Sequence, residues 1–136
     1  MNNIEITEGE LGSFTKEYLL DLPVPSVVGF QGSLGAGKTT IIKNIIRNLG
    51  IEEMVTSPTF NIVKNYEVGD IKIFHVDLYR LRSWSEFIDL DLPLSKENTL
   101  VLIEWANLMT DSYIPNKDLI KIEIVDYDTR KISINV

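Results

Sequence analysis

Cysteine is absent from the 136 residues, and histidine occurs once, as His75. The first absence excludes a disulfide framework, a thiolate zinc site and a cysteine nucleophile; the second excludes a histidine-rich metal centre. No apolar run approaches the roughly 18 to 20 residues needed to cross a bilayer. The opening MNNIEITEGE is acidic and lacks the cationic start and apolar stretch of an export signal. The expectation is a cytoplasmic protein with no membrane contact. Basic residues are also scarce, 13 Lys and Arg against 20 Asp and Glu for a formal charge of −7, and they form no stripe. Gripping a nucleic-acid backbone is largely an electrostatic task, so strong direct binding to RNA or DNA by this chain alone is disfavoured. An acidic surface could instead dock on a basic protein partner, although net charge by itself more often means only solubility.

What is present is an ordinary globular composition, 44% hydrophobic and 24% charged, at a length that fits one domain over residues 1–136. Ile4 to Thr7 alternate weakly, and Leu11, Phe14, Leu19 and Leu20 recur near helical spacing, which predicts a strand and then a helix ending near the prolines Pro23 and Pro25. Val27 to Phe30 form a short apolar run before a glycine loop, and Ile41, Ile42, Ile45, Ile46 and Leu49 repeat at helical spacing after it, with Gly50 as the stop. From Phe60 to Asp77 the pattern alternates, with Phe60 and Ile62 in one segment, Ile71, Ile73 and His75 in the next and Gly69-Asp70 between them, a predicted hairpin. Leu100 to Ile103 are continuously apolar and run into Glu104, the pattern of a strand buried on both faces. Ile120, Ile122 and Ile124 and then Ile132, Ile134 and Val136 alternate around residues 126–130, a closing hairpin. Together these elements predict an α/β fold: a mixed sheet with flanking helices and a nucleotide at its strand ends.

The glycine loop, GSLGAGKTT, satisfies the phosphate-loop pattern G-x-x-x-x-G-K-[ST] with Gly32, Gly37, Lys38 and Thr39. Its glycines let backbone N–H groups curl around a β-phosphate, Lys38 brings positive charge toward the β- and γ-phosphates, and the Thr39 hydroxyl can ligate Mg²⁺. The candidate nucleotide-binding residues here are Gly32, Leu34, Gly35, Ala36, Gly37, Lys38, Thr39 and Thr40. A cation on such a loop draws a carboxylate from a neighbouring strand end. Glu104 is the first candidate, and Asp77, closing IKIFHVD, is the second, as metal ligand through water or as the group that orients attacking water. The segment TSPTF, residues 56–60, carries hydroxyls that could place Ser57 or Thr59 near a γ-phosphate. Trp105 beside Glu104 is by base rate a packing residue. PNKD at 115–118 has the wrong spacing for the guanine-reading N-K-x-D, and DYDTRK lacks the glycine and distant glutamate of a calcium loop.

With GSLGAGKTT, SPTF, HVDLYRL and IEWA in that order across residues 32–106, the sequence resembles the TsaE (YjeE) family, the small bacterial P-loop ATPases of tRNA threonylcarbamoyladenosine biosynthesis. The resemblance implies a P-loop NTPase-like single domain in which Gly35 to Thr40 wrap the phosphates of ATP or ADP, while Thr39 and Glu104 hold Mg²⁺. It implies a part in hydrolysis for Asp77, a switch-like setting for Thr59 and a place near the nucleotide for Trp105. It implies TsaD and TsaB as partners, the proteins that transfer the threonylcarbamoyl group to N6 of adenosine 37 in tRNA. Contact with tRNA would run through that complex, and ATP hydrolysis would reset it between turnovers. The adenine position in the family points loosely to Thr7 and Arg130. The chain departs from many relatives at Ser33, where they carry an acidic residue, and in residues 86–94, EFIDLDLPL, where they carry a glycine.

Two other readings of the bare loop are a small-molecule kinase and a nucleotide-binding scaffold without useful turnover. A kinase needs an acceptor pocket and commonly an arginine-bearing lid, and the only arginines are Arg47, Arg80, Arg82 and Arg130.

Overall fold

The computed structural model describes residues 2–20, 26–33, 35–52, 54, 62–78, 81, 83–94, 96–105 and 118–134, with the side chains of 2, 18–20 and 105 outside that description. In chain order the elements are β1 (Asn2–Thr7), a 3-10 turn (Glu8–Glu10), α1 (Leu11–Leu20), β2 (Ser26–Gly32), α2 (Lys38–Asn48), β3 (Val63–Val68), β4 (Ile71–Asp77), α3 (Trp84–Asp89), β5 (Thr99–Trp105), β6 (Asp118–Ile124) and β7 (Thr129–Ile134).

Among the described residues seven strands join one sheet in the order β1-β7-β6-β2-β5-β4-β3. The central strands β6, β2, β5 and β4 are mutually parallel, whereas β3, β7 and β1 each run antiparallel to their neighbours. The carboxyl ends of β2, β4 and β5 therefore open on the same edge. Two apolar layers cover the sheet. On one face Val28, Phe30, Ile73, Leu100, Leu102, Ile120 and Ile122 meet Leu11 of α1 and Ile41, Ile42, Ile45 and Ile46 of α2. On the other, Val27, Val76, Val101 and Ile103 meet Phe87 of α3 together with Leu78 and Leu81, which lie between β4 and α3. Residues alternate between faces along β2 and β5, so both strands are buried on each side, as the LVLI run predicts. Each fully buried isoleucine of α2 contributes at most about 1.5–3 kcal/mol, and this, more than intrinsic propensity, holds the helix against the sheet.

Both predicted hairpins form. Gly69, at φ +57°, makes the tight turn between β3 and β4. Gly50, at φ +107°, ends α2 in the left-handed conformation, its N–H donating to Arg47 O at 3.0 Å. One boundary is corrected: Ile62 does not continue the alternating strand but sits at φ +67°, a conformation in which a β-branched residue is strained, and β3 begins at Val63. Phe60, placed with Ile62 by the alternation, lies outside the described residues, as do Pro23 and Pro25. The glycine-free segment yields α3, which its apolar pattern did not predict. Its local signal is S-x-x-E, since the Ser83 side chain accepts the Glu86 N–H at 3.4 Å.

Candidate nucleotide and metal site

The glycine loop leaves β2 and returns into α2, and the space around it explains its glycines. A Cβ at Gly32 would lie 2.6 Å from the carbonyl oxygen of Ile122 on β6, closer than real atoms approach. Gly35 and Gly37 stand at φ +82° and +116°, in the left-handed region that other side chains rarely adopt. Gly37 caps α2 without a side-chain hydrogen bond, and no acidic residue lies in the first turn. The leading N–H groups of the helix and its positive dipole end thus face the loop.

Sheet register supplies the carboxylates. Phe30, Glu104 and Asp77 are cross-strand partners on β2, β5 and β4, and on β5 Glu104 alternates in step with Leu100 and Leu102, which face α2. Thr39, in the first turn of α2, lies over this row and donates from Oγ1 to Glu104 Oε1 at 2.6 Å. The second carboxylate oxygen, Oε2, is 2.5 Å from Nε2 of His75, and both residues are buried, at 0% exposure for His75 and 3% for Glu104. Lys38 donates to the carbonyls of Gly32 and Ser33; an ammonium has three donors, so these two do not exhaust it. Burial holds the Lys38 ammonium below the usual lysine range, opposed by the negative charges of Glu104 and Asp77. The Asp77 backbone N–H donates to Ile62 O at 2.8 Å, tying the strand end to the strained residue that leads into β3.

The donor set fits Mg²⁺. The Thr39 hydroxyl and the Glu104 carboxylate are hard oxygens already within hydrogen-bond distance of one another. Mg²⁺ is typically held by one or two protein oxygens while phosphates and water complete its shell. No group of three or more His, Cys, Asp or Glu with ligand spacing occurs among the described residues, so an all-protein cage is not what they offer.

Of the residues expected from sequence, Gly32, Gly35, Ala36, Gly37, Lys38, Thr39, Asp77 and Glu104 converge on this edge, and Thr40 lies exposed in the first turn of α2. Leu34 and Thr59 fall outside the described residues, and Trp105 is described only through its backbone, paired with Gln31. The Thr7 hydroxyl is engaged with Glu10 Oε1 at 3.0 Å. Arg130, 7% exposed, props the loop: its Nε donates to Ala36 O at 3.1 Å, and its Nη1 donates to the carbonyls of Asp126, Tyr127 and Thr129 at 2.9–3.2 Å. Sequence reasoning missed this strut and the His75 contact. The available signal for the latter was a histidine in step with Ile71 and Ile73 on an inward face, a buried polar group in need of a partner.

A glycine loop between a parallel strand and the uncapped start of a helix, on a sheet covered on both faces, defines a phosphate-loop α/β protein. The family model described as "Threonylcarbamoyl adenosine biosynthesis protein TsaE" matches residues 6–132. The chain belongs to the TsaE family. It is 32% identical over 129 residues to the tRNA threonylcarbamoyladenosine biosynthesis protein TsaE of Rickettsia typhi, covering 94% of this chain and 90% of that one. It is 37% identical over 107 residues to the Bacillus subtilis protein of the same name, covering 79% and 67%. The crystal structure of Bacillus subtilis YdiB superposes with a TM-score of 0.73 at 27% identity, covering 98% of this chain and 84% of that one.

Proposed function

We propose that the chain binds ATP with Mg²⁺ at the glycine loop, hydrolyses it slowly alone, and uses the hydrolysis to reset a TsaB–TsaD complex during threonylcarbamoyladenosine modification of tRNA. The observation that carries this reading is the 2.6 Å contact between Thr39 and Glu104 at the mouth of the loop. It joins a helix hydroxyl and a strand-end carboxylate that are 65 residues apart in sequence. Relatives of this chain carry the biosynthetic name, which supports the pathway.

In this mechanism the backbone N–H groups of residues 35–40 hold phosphate oxygens, and Lys38 brings its charge to the oxygens that gain charge in the transition state. Thr39 and Glu104 would hold the cation, which would supply Lewis-acid neutralisation of phosphate charge. Asp77, in register with Glu104 on the adjacent strand, orients the attacking water and holds its proton. Loss of the γ-phosphate is sensed at Thr59 and at Asp77, which flank the β3–β4 hairpin in sequence. A two-state relay of this kind does useful work only if the ATP and ADP forms differ in affinity for something else.

The test is multiple-turnover modification of tRNA by TsaB and TsaD with this protein and either ATP or a non-hydrolysable analogue. Modification is expected to stall after about one cycle with the analogue. Equal turnover through many cycles with both nucleotides would overturn the resetting role.

A further inference from the structure

His75 is buried, is the only histidine of the chain, and has no part in the mechanism above. It lies on β4 two residues before Asp77, paired in register with Leu102, so Glu104 is its diagonal neighbour on β5. Its Nε2 is 2.5 Å from Glu104 Oε2, while Thr39 Oγ1 donates to the other oxygen, Oε1, at 2.6 Å. An ionised carboxylate only accepts hydrogen bonds, so the nitrogen facing it carries the proton. The second ring nitrogen, Nδ1, is buried and has no hydrogen-bond partner among the described residues.

We propose that His75 is a positioning residue for Glu104: by donating to Oε2 it fixes the plane of the carboxylate so that Oε1 faces the Thr39 hydroxyl, the geometry that captures Mg²⁺. This rests on the reading that Thr39 and Glu104 hold the cation. Without the imidazole the carboxylate rotates about its last bond, and the site loses the preorganisation that outer-shell hydrogen bonds give to metal ligands.

The experiment measures binding, not turnover: affinity for a fluorescent ADP analogue, titrated with Mg²⁺, in wild type, His75→Leu, His75→Gln and Glu104→Gln, each checked for folding by thermal unfolding. His75→Leu is expected to raise the Mg²⁺ concentration for half-maximal enhancement by about 10- to 100-fold while leaving metal-free affinity unchanged. His75→Gln, whose amide nitrogen can take the place of Nε2, is expected to recover most of the loss. A folded His75→Leu protein with wild-type Mg²⁺ dependence beside a defective Glu104→Gln protein would overturn this proposal alone. Undiminished Mg²⁺ dependence in Glu104→Gln would overturn the metal reading and this proposal with it. A second readout uses the unaltered protein: nitrogen NMR of its single histidine should show a proton on Nε2, and a ring that carries its proton on Nδ1 alone would overturn the proposal even if every His75 variant fails to fold.

Discussion

Lys38 and Gly32 are six residues apart and joined by a hydrogen bond from the Lys38 ammonium to the Gly32 carbonyl, yet their replacements should fail in different ways. Lys38→Ala removes the charge proposed to meet phosphate oxygens and no core contact, so ATP hydrolysis should fall below detection while the unfolding midpoint barely moves. Wild-type turnover by a folded Lys38→Ala protein would remove the loop from the mechanism. Gly32→Ala drives a methyl to 2.6 Å from a β6 carbonyl, an atom that the sheet holds in place. Its cost should appear in urea unfolding as about 1–3 kcal/mol of lost stability. An unchanged midpoint would mean that the strand end yields more readily than its pairing implies.

At the scale of the element, the β6–β7 hairpin supports the loop from below, and its turn organises the support. Asp126 Oδ1 accepts the backbone N–H groups of Asp128 at 3.0 Å and Thr129 at 2.9 Å. The hydrogen bond from Asp128, followed by those from Thr129 and the charge of Arg130, holds its carboxyl below the usual range. A depressed carboxyl stabilises the fold above its unfolded value near 3.9, and that contribution is lost as pH falls through the lower folded value. The deficit of Asp126→Ala against wild type should therefore be full at neutral pH and shrink below about pH 3.9, as read from paired denaturant curves. Arg130→Met keeps the bulk of the side chain but removes the donors to Ala36 and the turn. It should cost about 1.5–3 kcal/mol and also weaken ADP binding, although the residue is placed beneath the loop. Lost stability with unchanged ADP affinity would show that the strut holds the hairpin and not the loop.

For the whole molecule the governing quantity is the charge of −7. If the acidic surface steers docking on a basic face of TsaB–TsaD, the association rate should fall as salt rises, with a smaller change in dissociation. Stopped-flow mixing at several ionic strengths reads this directly, and a rate insensitive to salt would assign the docking to apolar contact. Among the described residues no helix is long and apolar enough to cross a membrane.

The sequence by itself determined what depends on neighbours along the chain. The glycine loop is legible because a phosphate cradle is built from consecutive backbone groups whose conformations only glycine adopts freely, and the strand before it and the helix after it are legible because period-2 and period-3.6 patterns are local. Glu104 and Asp77 were legible as the acidic residues that follow apolar runs toward strand ends in a fold whose strand ends share an edge. Only the tertiary structure decided which residues meet across that edge. His75 reaches Glu104 over 29 residues of sequence and Arg130 reaches Ala36 over 94, and both contacts depend on strand order and register, which no local pattern carries. The left-handed Ile62 belongs to the same class: alternation favours an extended residue there, and the hydrogen bond from the end of β4 to its carbonyl accompanies the opposite choice.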